Sequence, residues 1–84
     1  MHNQFIFIKK TLKNKGFLDI QIKKGYQYFS GFFTSKSGQI YYISYSEGQK
    51  DFLIRTAKSY KDYSGGINYF YTVSKIMNLE NYIK

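Results

Sequence analysis

The hydrophobic period of the chain changes near its start and again near its end, and these changes divide it into elements. At about 100° per residue, Phe5, Ile8 and Leu12 fall on one narrow helical arc, with Lys9, Lys10 and Lys13 together on its flank. Asn3 suits an N-cap, and Gly16 suits the position just past the last turn, where positive φ costs glycine nothing. Phe7 points away from the arc, and "FIFI" (5–8) taken alone also fits a short strand.

After Gly16 the period becomes two. In "FLDIQIKK" Leu18, Ile20 and Ile22 alternate with Asp19, Gln21 and Lys23, the pattern of a half-buried strand. "YQYFSGFFT" (26–34) reads as a second strand with Gly31 a candidate bulge. "QIYYISYS" (39–46) and "FLIRTAK" (52–58) read as a third and fourth, joined through the turns "SKSG" and "EGQKD". Residues 59–68 read as a loop, and "NYFYTV" (68–73) as an edge-like fifth strand. Ser74 starts a short closing helix with Ile76, Leu79 and Ile83 on one face. The expectation is one compact α+β domain over residues 1–84: an N-terminal helix, an antiparallel meander of four to five strands and a short C-terminal helix. Alternation sends Tyr41 and Tyr45 to one face of the third strand and Tyr42 to the other, so only one set belongs to the core.

Double-stranded-RNA-binding domains and small HicA-type ribonuclease toxins share this order of elements. "FIKKTLKNKGF" resembles the opening helix of those toxins, terminal Gly-Phe included. They carry a histidine on their strands, and positions 26–46 here hold none, so the resemblance implies topology without the ribonuclease activity.

Composition narrows the chemistry. With no cysteine, and His2 the sole histidine, disulfides, thiolate sites and histidine metal clusters are excluded, and no cofactor is expected. Asp19, Glu47, Asp51, Asp62 and Glu80 are the only acids and are dispersed, with Glu47 and Asp51 reading as solvated turn charges. No spacing among them suggests a two-carboxylate site, so a non-enzymatic role is expected. No apolar run approaches the roughly 20 residues that span a bilayer, and "FIFI" lacks the flanks of a signal peptide. A cytoplasmic protein of a bacterium or of a mobile element is the expectation.

The net charge of +8 comes from thirteen basic residues against five acids, and only Arg55 among the thirteen is an arginine. Lysine suits phosphate as a point charge, whereas bidentate reading of base edges favours arginine, so backbone contact should dominate any nucleic-acid binding. The densest stretch is "RTAKSYKDYSGGINYFY" (55–71). Here Arg55, Lys58 and Lys61 alternate with Tyr60 and Tyr63, and Gly65 and Gly66 can present successive amides to an anion. The same residues also fit a solvated loop closed by Gly-Gly, with Asp62 paired to Lys58 or Lys61. Lys9, Lys10 and Lys13, with Lys15, Lys23 and Lys24, form a second basic tract that fits phosphate contact or a plain solvated face.

Two partner classes follow. The first is nucleic acid, RNA ahead of DNA, held by lysines on phosphate and tyrosines on bases. The second is a nuclease or ribonucleoprotein complex, docked through a tyrosine-rich face by a small phage- or plasmid-type inhibitor of the anti-CRISPR kind. An unpaired edge in "NYFYTV" is as compatible with a homodimer as with a binding groove.

Overall fold

The computed structural model describes residues 2–83. Helix α1 (His2–Asn14) buries Ile8 and Leu12 completely. It ends in a Schellman turn: Phe17 N–H donates to Leu12 O (3.0 Å), Gly16 N–H donates to Lys13 O (3.1 Å), and Gly16 takes φ +84°. Asn3 lies inside the first turn rather than capping it, because the helix already includes His2, whose Nδ1 sits 3.2 Å from Lys24 Nζ.

Five strands follow: β1 (Leu18–Gly25), β2 (Tyr28–Thr34), β3 (Ile40–Ser46), β4 (Phe52–Ala57) and β5 (Asn68–Tyr71). They pair antiparallel in chain order, each with its sequence neighbours, as the meander pattern requires. Helix α2 (Val73–Met77) and a 3-10 turn (Leu79–Asn81) close the chain. Thr72, rather than Ser74, starts α2: its side chain accepts from Lys75 N–H at 3.2 Å. That cap ends β5 at Tyr71, two residues short of the expected strand.

The core lies between the helices and one face of the sheet. Ile22, Phe29, Phe33, Ile43, Tyr45, Phe52, Ile54 and Tyr71 meet Ile8 and Leu12 from α1 and Ile76, Leu79 and Ile83 from the C-terminal segment. Phe29 is enclosed by rings, with Phe5 at 5.9 Å, Tyr45 at 5.7 Å and Phe52 at 6.3 Å between centroids. Tyr41 packs on the same side, stacked on Phe33 at 5.5 Å, so Tyr41 and Tyr45 form the inner set and Tyr42 faces outward. Phe7 departs from expectation. It is half-buried and its ring lies 6.3 Å from Phe52, because the core is wide enough to take rings from both flanks of α1.

Two backbone features differ from the plain alternation. The bulge falls in β1, not at Gly31: Asp19 and Ile20 together oppose Phe33, with Asp19 at φ +48°. The extra residue reverses the phase, so Leu18 is exposed on the outer face while Phe17 takes the inner position against Phe33 at 5.3 Å. Gly31 keeps regular register with Ile22 and Ile43. Its missing side chain serves a close approach instead, since a Cβ there would overlap Gln21 O and lie 2.5 Å from Ile22 Cα. Backbone atoms cannot rotate away as a side-chain tip can. Gly31→Ala is expected to cost about 2–3 kcal/mol by overpacking, read as a lower urea midpoint with unchanged m-value. An unchanged midpoint would mean β1 yields freely there.

Candidate nucleic-acid interface

The second face of the sheet carries no helix. Alternation and register line its side chains up in cross-strand rows, one running Gln21, Phe32, Tyr42, Arg55 and Asn68 across all five strands. The next row reads Lys23, Ser30, Ser44, Leu53 and Phe70. The segment between β4 and β5 folds back over the first of these rows. Tyr63 stacks flat on Tyr42, with centroids 4.2 Å apart and planes inclined by 14°. Tyr60 meets Phe32 edge-on at 6.0 Å, and its hydroxyl bonds the Thr34 hydroxyl.

Arg55 fixes this arrangement. Its Nε donates to Tyr63 O at 2.8 Å, its Nη1 donates to Asn68 Oδ1 at 2.9 Å, and the guanidinium carbon lies 5.8 Å from the Tyr63 ring centroid. The lone arginine, expected as a free cation for a partner, thus serves as the internal pin of the loop. Asp62 is also engaged locally. It accepts from Ser64 N–H (3.0 Å) and from Ser64 Oγ–H (2.5 Å), and no ion pair joins it to Lys58 or Lys61. Those two donors, the hydroxyl first, hold its carboxyl below the usual carboxylate range. The depressed pKa makes this contribution to loop order present at neutral pH and lost only in acid, as pH falls through the lowered value.

Each glycine of the pair meets a different structural requirement, Gly65 by its positive φ and Gly66 by close packing. Gly65 takes φ +73°, and a Cβ on Gly66 would overlap Thr56 O and sit 2.9 Å from Arg55 Cγ. Among the described residues, no acceptor meets the N–H of Gly65 or of Gly66. Both glycines line a groove of about 590 Å³, together with Lys58, Ser64, Thr56 and the Gly38–Gln39 turn, and no carboxylate is in its lining. Lys58 and Lys61 are exposed. A second open groove of about 500 Å³, also free of carboxylates, lies on the same face between Lys23, Tyr28, Ser30, Phe32 and Tyr60.

Lys9, Lys10 and Lys13 stand apart from this site. They belong to α1, on the helix-covered side, where they flank Ile20 at the β1 edge. Lys9 Nζ lies 5.2 Å from the Phe5 ring centroid, and Lys15 is taken up by Glu80 at 2.7 Å, the one ion pair among the described residues. Tyr28 and Phe32 were not singled out from the sequence, and Lys23, read there as part of the α1 basic tract, instead lines the second groove. The signal existed, since alternation through "YQYFSGFFT" puts Tyr28, Ser30 and Phe32 opposite Phe29 and Phe33. Asp51, expected as a solvated turn charge, is half-buried with Oδ1 unpartnered among the described residues, because Phe52 beside it is drawn into the core. No three metal-ligating side chains gather anywhere among the described residues, and no described helix is long and apolar enough to cross a membrane. No protein family, curated protein or solved structure matches the chain.

Arg55→Ala should release the loop at a cost of about 1–2 kcal/mol, and Arg55→Lys should not restore it, because an ammonium cannot reach Tyr63 O and Asn68 as a planar fork does. Faster amide exchange at Ile67 and Ser64 in both variants, with β2 and β3 unchanged, is the expected readout. Full protection in Arg55→Lys would show that charge alone holds the loop.

Proposed function

We propose that this protein is a non-enzymatic RNA-binding module that takes single strands across the loop-bearing face of its sheet. One observation carries the reading: a groove of about 590 Å³ is lined by Lys58, which joins no ion pair, and by Gly65 and Gly66, whose amides meet no acceptor among the described residues, with no carboxylate in its lining. Phosphate satisfies all three donors at once. It supplies charge for Lys58 and several lone pairs for the Gly65 and Gly66 amides. Lys61 and Lys23 extend the positive field along the same face.

Bases have somewhere to go beside that track. Tyr63 stays 43% exposed while Tyr42 and Arg55 hold it rigid, and Tyr28 is similarly open at the far side of the face. A ring already fixed loses little entropy when a base stacks on it, and stacking contributes about 1–3 kcal/mol per base without regard to sequence. Exposed rings favour unpaired bases over a duplex, whose bases already stack on one another. With the only arginine engaged by Tyr63 O and Asn68 Oδ1, base-edge reading lacks a free guanidinium, so low sequence specificity follows.

The test is fluorescence anisotropy with a labelled uridine 15-mer, run beside the matching single-stranded and duplex DNA. Lys58→Glu combined with Lys61→Glu should weaken RNA binding by roughly tenfold or more while the circular dichroism spectrum is kept. Lys50→Glu, in the turn at the other end of the β3–β4 hairpin, should change affinity by less than about threefold. Equal losses in both variants would reduce the effect to net charge. Failure to bind any nucleic acid at low salt would overturn the reading in favour of protein docking.

A further inference from the structure

The two edges of the sheet are built differently. β1 carries the features that keep strand edges from pairing: a bulge at Asp19 and Ile20, and exposed Lys23 and Lys24. β5 carries none of them. Residues 67–73, "INYFYTV", contain no charge, no proline and no glycine, in a chain of which 21% is charged. β5 follows β4 in regular register without a bulge. Around it Ile67 (62% exposed), Phe70 (59%), Tyr69 and Val73 leave apolar surface open on both sides of the strand. Tyr82, beside Tyr71 at 6.0 Å, continues that surface toward the C-terminal segment.

We infer that β5 is a self-pairing edge, and that its occupant is β5 of a second copy of this chain. Two arguments select a second copy. The first is symmetry: a two-fold axis normal to the sheet lays the strand antiparallel on itself and keeps each sheet face on its own side. Like rows then continue across the junction, joining two five-stranded sheets into one of ten with both helical layers on the same side. The second is charge. Lys9, Lys10 and Lys13 flank β1 at Ile20, and Lys23 and Lys24 lie on β1 itself. These five cations sit at the edge remote from β5. Two copies of a molecule with net charge +8 meet with less repulsion through β5, which has Lys75 on its flank at 5.7 Å from the Tyr82 ring centroid, than through β1 with its five cations. An acidic partner would be drawn to β1 instead. The inference does not depend on RNA binding, although a dimer of this kind sets two loop-bearing faces side by side.

Sedimentation velocity on the full chain, freed of nucleic acid and run from about 1 to about 200 µM, reads the association directly. A dimer is expected, and Phe70→Lys and Ile67→Lys should each raise its midpoint by roughly tenfold or more by setting like charges across the axis. Both side chains are already exposed, and circular dichroism checks that each variant keeps its fold. Gln21→Lys, on β1, should leave the midpoint unchanged. A monomer throughout the range would overturn the inference. So would a dimer that survives both β5 substitutions, or one that Gln21→Lys disrupts. Because the samples contain no RNA, each of these results stands whether or not RNA binds.

Discussion

A sheet has two faces, and a chain of 84 residues with one 13-residue helix, a five-residue helix and a 3-10 turn covers only one of them with helices. That constraint organises this molecule. The covered face receives Ile8 and Leu12 from α1 and Ile76, Leu79 and Ile83 from the C-terminal segment, and it holds the entire buried ring cluster around Phe29. The other face must make do with the segment between β4 and β5. Apolar side chains in its rows, Phe32, Tyr42 and Leu53, would otherwise stand in water. Tyr60 and Tyr63 cover two of them, and the Arg55 fork holds that cover in place.

This division explains why rings and cations crowd into residues 55–71. The rings turn down onto the sheet, because that is where apolar area is still to be removed from water. The lysines stay exposed and join no ion pair: Asp62, which Lys58 still helps to hold ionised, is engaged by Ser64, and Glu80 is with Lys15. Gly66 is small because Thr56 O and Arg55 leave no room for a Cβ there, and Gly65 because its φ of +73° is one that other residues rarely adopt. The cover over the open face and the walls of the groove are therefore one structure. The contacts that seal the open face also hold Lys58, Gly65 and Gly66 around a common groove.

The sequence disclosed the elements that depend on local periodicity. The strand pattern, the inward set Tyr41 and Tyr45, and the closing stripe Ile76, Leu79 and Ile83 are all matters of which way consecutive side chains point. It was silent where distant backbone decides. Asp19 sits in an alternating run that looks uninterrupted, and only the competition between Phe17 and Leu18 for the place against Phe33 resolves the phase. Gly31 resembles a bulge in sequence but answers to the closeness of β1. Arg55 looked like a free cation because its partners are eight and thirteen residues downstream, on a path no periodicity describes. The same gap hid Lys23, Tyr28 and Phe32 as neighbours of the loop, since Tyr60 reaches them across three strands.

The central claim is that this face attracts a polyanion through free lysines and open amides, so counterion release should govern the binding. The salt dependence of RNA affinity measures that quantity. Plotting log affinity for a uridine 15-mer against log salt from about 50 to about 200 mM should give a line of slope near −1.5 to −2, the value for two or three phosphates neutralised by Lys58, Lys61 and Lys23. A flat line would mean that no lysine on this face meets phosphate, and the account would fail.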